Sequence, residues 1–242
     1  MATQIQVEML KTGLVLITLN RPERRNALSL AMLEELIEAM TSLQGTEGPR
    51  VLILQGAGPV FCSGLDLVEV SQPDLVRRST DLLARTFQLM RDTDLVTIAA
   101  VHGAAYAGGG GLMASCDIAI AACDLKIGFP ETRRGLLPAL ITAVMSPKVR
   151  EGDLRELFLV GNTIDATRAQ QIGLVQRIVP KDDLMKAALD LADGVLAGGP
   201  ETVKAAKRLL NEAYSARESV SILRMAEAHI EARSNGEATE GM

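Results

Sequence analysis

The stretch AVHGAAYAGGGGLMASCD, residues 100–117, sets four consecutive glycines, Gly108 to Gly111, between an apolar run and a short amphipathic segment. Glycine loses more conformational freedom on folding than any other residue, so four in a row oppose ordering unless bare backbone is needed there. The run follows a strand-like segment, VTIAAV, and precedes a helix-like one, GLMASCD. Backbone N–H groups at a helix start are unpaired and the helix dipole favours negative charge beside them, which suits an anion or an oxyanion. Missing Cβ atoms would also let a ligand approach closely. Two phosphate-binding signatures are absent. With Gly108 and Gly110 in place, the dinucleotide fingerprint requires glycine or alanine where Met113 stands. A P-loop requires Gly-Lys-Ser/Thr, and no lysine follows the glycines directly. A tight turn with close helix packing is the structural alternative.

The surrounding pattern is α/β. The runs 13–19, 50–56, 96–101, 117–122 and 174–179 are short, apolar and rich in β-branched residues, and read as strands. Between them Ala31, Leu33, Leu36, Ile37 and Met40 recur at helical spacing behind Ser29 as N-cap, and Asp165 and Gly173 cap the two ends of a shorter helix. From Lys181 onward the pattern is helical only. Residues 1–180 are therefore expected to form the core and residues 181–242 a helical region of the same domain. In that region Leu209, Leu210, Ile222, Leu223, Met225 and Ile230 supply apolar surface for subunit contacts or for folding back over the chain's own site.

Composition excludes several function classes. A net charge of -5, two Tyr, four Phe and no Trp leave little with which to track phosphates or stack bases, so no nucleic-acid partner is expected. Three cysteines without a CxxC pair and two histidines suggest neither a disulfide framework nor a metal site, which fits a reducing, cytoplasmic compartment. The N-terminal segment lacks the basic start and apolar stretch of a signal peptide. The run 95–116 is long enough to span a bilayer, but its five glycines, its histidine and the flanking Asp94 and Asp117 argue against any membrane role.

A second glycine site, GPVFCSGLDL at 58–67, carries Gly64 in a loop after another strand. Two separated backbone donors facing one oxygen are the arrangement that stabilises an oxyanion. The segment is not GxSxG and neither His102 nor His229 completes an evident triad, so Cys62 and Ser63 read as structural. The remaining need is an acid or base. Glu131, in KIGFPETRRGLLP behind Phe129 and Pro130, would have its pKa raised by partial burial and could shuttle protons. Its alternative is a solvated charge or an ion pair with Arg133 or Arg134.

The segments LNRPERRNALS, FCSGLDL, AAVHGAAYAGGGGLMASCDIAIA, GFPETRRGLLP and LRELFLVGNTIDATRAQQIGLVQRIVP, in this order, resemble the enoyl-CoA hydratase/isomerase (crotonase) family over nearly the whole chain. The resemblance implies a spiral of repeated ββα units, with homotrimers or dimers of trimers built through the C-terminal helices. It implies an acyl-CoA thioester as substrate, with no cofactor beyond the coenzyme A that the substrate carries. Position by position, the two N–H groups that bind the thioester carbonyl fall at Leu65 and Gly108, with Glu131 as acid/base. Coenzyme A would lie bent near Arg24, Arg25 and Ala27 and along Ser63, Gly64, Leu65, Asp66 and Leu67, with Gly109, Gly111 and Pro130 completing the site. Arg21, Arg24 and Arg25 form a local basic cluster able to meet its phosphates; solvated arginines around Pro22 are the alternative.

The sequence departs from the family's hydratases at one position. They carry two glutamates, and the first of these positions is Gly111 here. Adding water across a double bond needs a group to orient the water, whereas moving a double bond needs a single carboxylate and an oxyanion hole. Isomerisation is therefore favoured over hydration, with a catalytically silent acyl-CoA binding protein on the same scaffold as the alternative.

Overall fold

The computed structural model describes residues 3–44, 48, 50–69, 73–215 and 222–233. Its elements, in chain order, are β1 (Ile5–Lys11), β2 (Leu14–Leu19), α1 (Leu30–Ser42), β3 (Val51–Gly56), α2 (Pro73–Asp92), β4 (Val96–Val101), β5 (Ala104–Tyr106), α3 (Gly108–Ser115), β6 (Ile118–Ala122) and β7 (Lys126–Gly128). There follow α4 (Ala139–Met145), α5 (Glu151–Arg155), β8 (Thr163–Asp165), α6 (Ala166–Gln171), β9 (Arg177–Val179), α7 (Leu184–Leu196), α8 (Pro200–Ser215) and α9 (Ile222–Arg233).

Six strands form one sheet in the order β1-β2-β3-β4-β6-β9, antiparallel at the β1/β2 edge and parallel elsewhere. β2 and β4 are buried along their whole length, which is why LVLITL and VTIAAV read as continuous apolar runs rather than alternating ones. The edge strand β1 is largely exposed and carries no such signature. A second sheet, β5-β7-β8, is built from three-residue strands that the sequence pattern does not reveal. The two expected caps are in place: Ser29 Oγ accepts from Met32 N at 3.0 Å, and Asp165 Oδ1 accepts from Arg168 N at 2.8 Å. Gly173 closes α6 with φ +85°.

One face of the large sheet packs against α1, α2, α3 and α4 in the main core; the other is covered by α7, whose Leu184, Ala188 and Ala192 bury against Leu14, Ile53, Ile98 and Ile120. α9 folds back onto α2 and α4, with Ala226 in the main core and Met225 packed against it. The apolar residues of the last helices thus divide. Met225 and Ala226 serve the chain's own core, while Leu209 and Leu210 of α8 stay 66% and 57% exposed. The side chains of Ile222 and Leu223 and the EATEGM end lie outside what the structure describes.

The glycine run is itself the first turn of α3, not a loop ahead of a helix. Intrinsic propensity argues against this, at about 1 kcal/mol per glycine relative to alanine. Packing overrides it. A Cβ on Gly109 would lie 2.4 Å from Cys62 O, on Gly110 2.6 Å from the Phe129 ring and on Gly111 2.5 Å from the Phe87 ring. The expected space for a ligand at these three positions is filled by the protein. Only Gly108 has room, with its nearest neighbours, Leu28 and Leu83, at 3.6 Å.

Candidate active site

The site is assembled where two loops meet the start of α3. Leu28 forms a parallel bridge with Leu65: Leu28 N donates to Gly64 O at 2.8 Å and Asp66 N donates to Leu28 O at 3.0 Å. A parallel bridge of this register turns the N–H of Leu65 away from Leu28. On that other side lies α3, where Leu65 N is 3.7 Å from the place a Cβ on Gly108 would take. Gly64, at φ +94°, makes the approach possible. A Cβ there would sit 2.9 Å from Tyr106 O and 3.3 Å from Gly108 N, so glycine is required both for its backbone angle and for its lack of a side chain.

The residue before the helix, Ala107, has φ +49° and ψ -123°, a conformation costly for any residue with a Cβ. It is held from both sides, since Ala107 N donates to Gly128 O at 2.9 Å and Ala107 O accepts from Gly111 N at 3.0 Å. With that first helical hydrogen bond made by Gly111, the N–H groups of Gly108 to Gly110 precede the intrahelical ladder.

Glu131 opens a short 3-10 turn, Glu131–Arg134, directly after Pro130. Its side chain is buried, and Oε2 has no hydrogen-bond partner among the described residues. Burial pushes its carboxyl up to about 7, against the opposing effects of its own backbone N–H and the charge of Arg134. Arg133 is engaged elsewhere, donating to Val160 O at 2.8 Å and to Asn162 Oδ1. No ion pair holds Glu131 among the described residues.

Ser63, Leu65, Leu67, Ala107, Gly108, Pro130 and Glu131 line one pocket, together with Arg134, the aliphatic wall of Leu83, Leu136, Leu140 and Ile141, and His229 and Arg233 from α9. Its volume is about 620 Å³, the solvent at its mouth included. Of the residues that the sequence singles out, Gly64 and Gly109 stand behind this wall and Gly111 faces Phe87 and Ile141. Ala27 is buried and takes a hydrogen bond from Arg21 at its carbonyl.

Arg24, Arg25 and Asp66 lie apart from the pocket wall. Asp66 is buried and paired with Arg21 at 2.7 Å and Arg24 at 3.6 Å; burial opposes its ionisation, but the two guanidiniums hold its carboxyl below the ordinary range. Arg25 is exposed, with φ +54°. Neither histidine forms a nucleophilic triad. His102 Nε2 meets Gly58 O at 2.9 Å, and burial pushes the Cys62 thiol up to about 12, partly offset by the Gly64 backbone.

Three contributors escape a reading of sequence. Asn26 is fully buried at φ +52°; its Nδ2 donates to the carbonyls of Ala57, Val60 and Phe61, and its Oδ1 accepts from Arg21 N. Phe87 belongs to α2 and His229 to α9, and only the folded chain brings them to the site. A buried asparagine in an arginine-rich turn had a local signal; the other two had none.

The enoyl-CoA hydratase/isomerase family model matches residues 10–242. The chain belongs to this family. An enoyl-CoA isomerase/hydratase of Mycosarcoma maydis is 32% identical over 213 residues, covering 83% of this chain and 77% of the relative. An enoyl-CoA hydratase of Mycobacterium avium superposes with a TM-score of 0.90 at 31% identity, covering 100% of this chain and 95% of that one. A monofunctional enoyl-CoA isomerase from M. smegmatis gives 0.78 at 28% identity, with 93% and 99% covered. The crotonase fold expected from the ordered motifs is thus the fold of the protein, and its relatives include hydratases and isomerases of enoyl-CoA.

Proposed function

We propose that the protein binds an acyl-CoA thioester and moves its double bond by way of an enolate. The observation that carries this reading is Glu131, a lone buried carboxyl with an unpartnered oxygen in the pocket that Leu65 and Gly108 also line. A carboxyl titrating near 7 is matched to proton transfer at neutral pH. In a 3-enoyl-CoA, the Glu131 carboxylate takes a proton from C2. The electron pair shifts toward the thioester oxygen, and the N–H groups of Leu65 and Gly108 stabilise the resulting dienolate. Glu131, now protonated, returns the proton at C4, leaving the double bond between C2 and C3 and the carboxylate restored.

No cofactor takes part beyond the coenzyme A of the substrate. Phe87 against Gly111 supports isomerisation over hydration, because the space for a second carboxylate is taken by a benzyl group. The burial of Glu131 beside a cavity supports an enzyme over a silent binding protein. The test is incubation with matched 3-enoyl- and 2-enoyl-CoA thioesters, following products by mass and ultraviolet absorbance. Interconversion of the two isomers is expected; rapid hydration of the 2-enoyl thioester with no isomerisation would overturn the assignment. The proposed assembly is a trimer or a dimer of trimers, supported by exposed Leu209 and Leu210 and checked by light scattering.

A further inference from the structure

Among the polar groups that the proton path and the oxyanion donors leave unused, His229 is the buried one with an unsatisfied atom. His229 is 8% exposed, and its Nδ1 lies 3.1 Å from Leu137 O. A carbonyl oxygen can only accept, so the neutral ring carries its proton on Nδ1 and Nε2 is a bare acceptor. Nε2 is buried without a hydrogen-bond partner among the described residues. Burial, reinforced by the charge of Arg233, keeps the ring neutral down to about pH 4, although the bond to Leu137 opposes this. Around it the wall is aliphatic, from Leu83, Leu136, Leu140 and Ile141, and the cations Arg134 and Arg233 leave Nε2 unpaired.

An acceptor fixed in this way selects its ligand. A plain alkyl chain would leave it unsatisfied, which is costly in a buried site, and a carboxylate has no hydrogen to offer. A hydroxyl can donate to Nε2 and brings no charge against the aliphatic part of the wall. We propose that His229 is a specificity-determining residue whose Nε2 accepts a hydrogen bond from a hydroxyl on the acyl chain beyond C4, so that the preferred thioesters carry a hydroxyl farther out than the C3 position that hydration would fill. This rests on the acyl-CoA reading above, in which Leu65, Gly108 and Glu131 bracket the reacting carbons; His229 lines the same pocket from α9 and would meet the chain beyond them.

The experiment is calorimetric binding of saturated acyl-CoA thioesters, which cannot react at a double bond, each compared with counterparts hydroxylated at successive carbons from C5 outward. At one hydroxyl position the wild-type Kd falls about tenfold or more relative to the plain chain. In His229→Phe that ratio collapses toward one, and in His229→Gln, which keeps a carbonyl acceptor near the Nε2 position, part of it returns. Equal binding of plain and hydroxylated chains by the wild type overturns the proposal while leaving the acyl-CoA reading intact. An undiminished ratio in His229→Phe overturns it equally. Failure of the wild type to bind any thioester overturns both. Should His229→Phe not fold, the wild-type series and His229→Gln still decide.

Discussion

The ring of Phe87 occupies the space that a side chain at residue 111 would need, its Cζ lying 2.5 Å from where a Cβ on Gly111 would be. The position is therefore closed rather than empty. Gly111→Glu alone should destabilise the fold by at least about 1–3 kcal/mol, the usual cost of overpacking, with a buried charge in addition. Phe87→Ala alone should cost about 3–5 kcal/mol through the cavity it leaves. Combined, the two should cost less than their sum, because each relieves the other. Denaturant midpoints of the two single variants and the double variant measure this; strict additivity would mean that Phe87 is not what fills the position. If the double variant folds, it is also the one in which hydration of 2-enoyl-CoA should rise.

Glu131→Gln should lower isomerase turnover by about 100-fold or more while leaving the Kd for a saturated acyl-CoA nearly unchanged, since general acid–base catalysis is worth that much. In the wild type, kcat/KM for a 3-enoyl-CoA should rise with pH to a plateau above about 7, because the carboxylate form is the one that takes the C2 proton. A profile flat across that range would remove Glu131 from the proton path.

The same residue costs stability. Its carboxyl titrates at about 7 in the fold against 4.5 in an unfolded chain, so between those values the folded protein binds more protons. Its contribution to stability therefore falls as pH rises from about 4.5 to 7 and is level above. At about pH 8, Glu131→Gln should be more stable than the wild type by up to roughly 3 kcal/mol, and the difference should vanish near pH 4. The variant and wild type are to be compared at each pH, because buried His229, whose pKa is depressed from 6.5 to about 4, adds an opposite slope in acid.

Ala107→Gly should stabilise the protein by about 1 kcal/mol, the strain at φ +49° outweighing the greater freedom glycine adds to the unfolded chain. A chemical denaturation curve with an unchanged slope and a higher midpoint is the expected result.

Arg24→Ala and Arg25→Ala should each weaken binding of coenzyme A thioesters by up to about 1 kcal/mol, roughly fivefold, at low ionic strength, with the effect fading as salt is added. Arg25 should matter more, because Arg24 already shares Asp66. Affinities insensitive to salt would take both residues out of the site.

Much of the scaffold could be read from residues alone because its signals are local. Ser29 and Asp165 cap the helices that their spacing indicates, and Val96–Val101 is a strand with the bounds its apolar run suggests. The small sheet was hidden because Ala104–Tyr106, Lys126–Gly128 and Thr163–Asp165 are too short to show a period. The glycine helix was hidden because propensity counts against it, and what outweighs propensity is contact with Cys62, Phe129 and Phe87, all remote in sequence. At the site, ordered motifs marked Glu131, Leu65 and Gly108. They could not mark His229, whose orphaned nitrogen exists only once α9 lies over the pocket.

Asn26 gives the two sides of the site a shared mechanics. One amide nitrogen holds the carbonyls of Ala57, Val60 and Phe61 while the same side chain grips Arg21, so the arginine-bearing turn and the approach to Leu65 are tied together. Any displacement imposed on that turn must be carried forward to Phe61, and from there, within a few residues, to the Leu65 N–H.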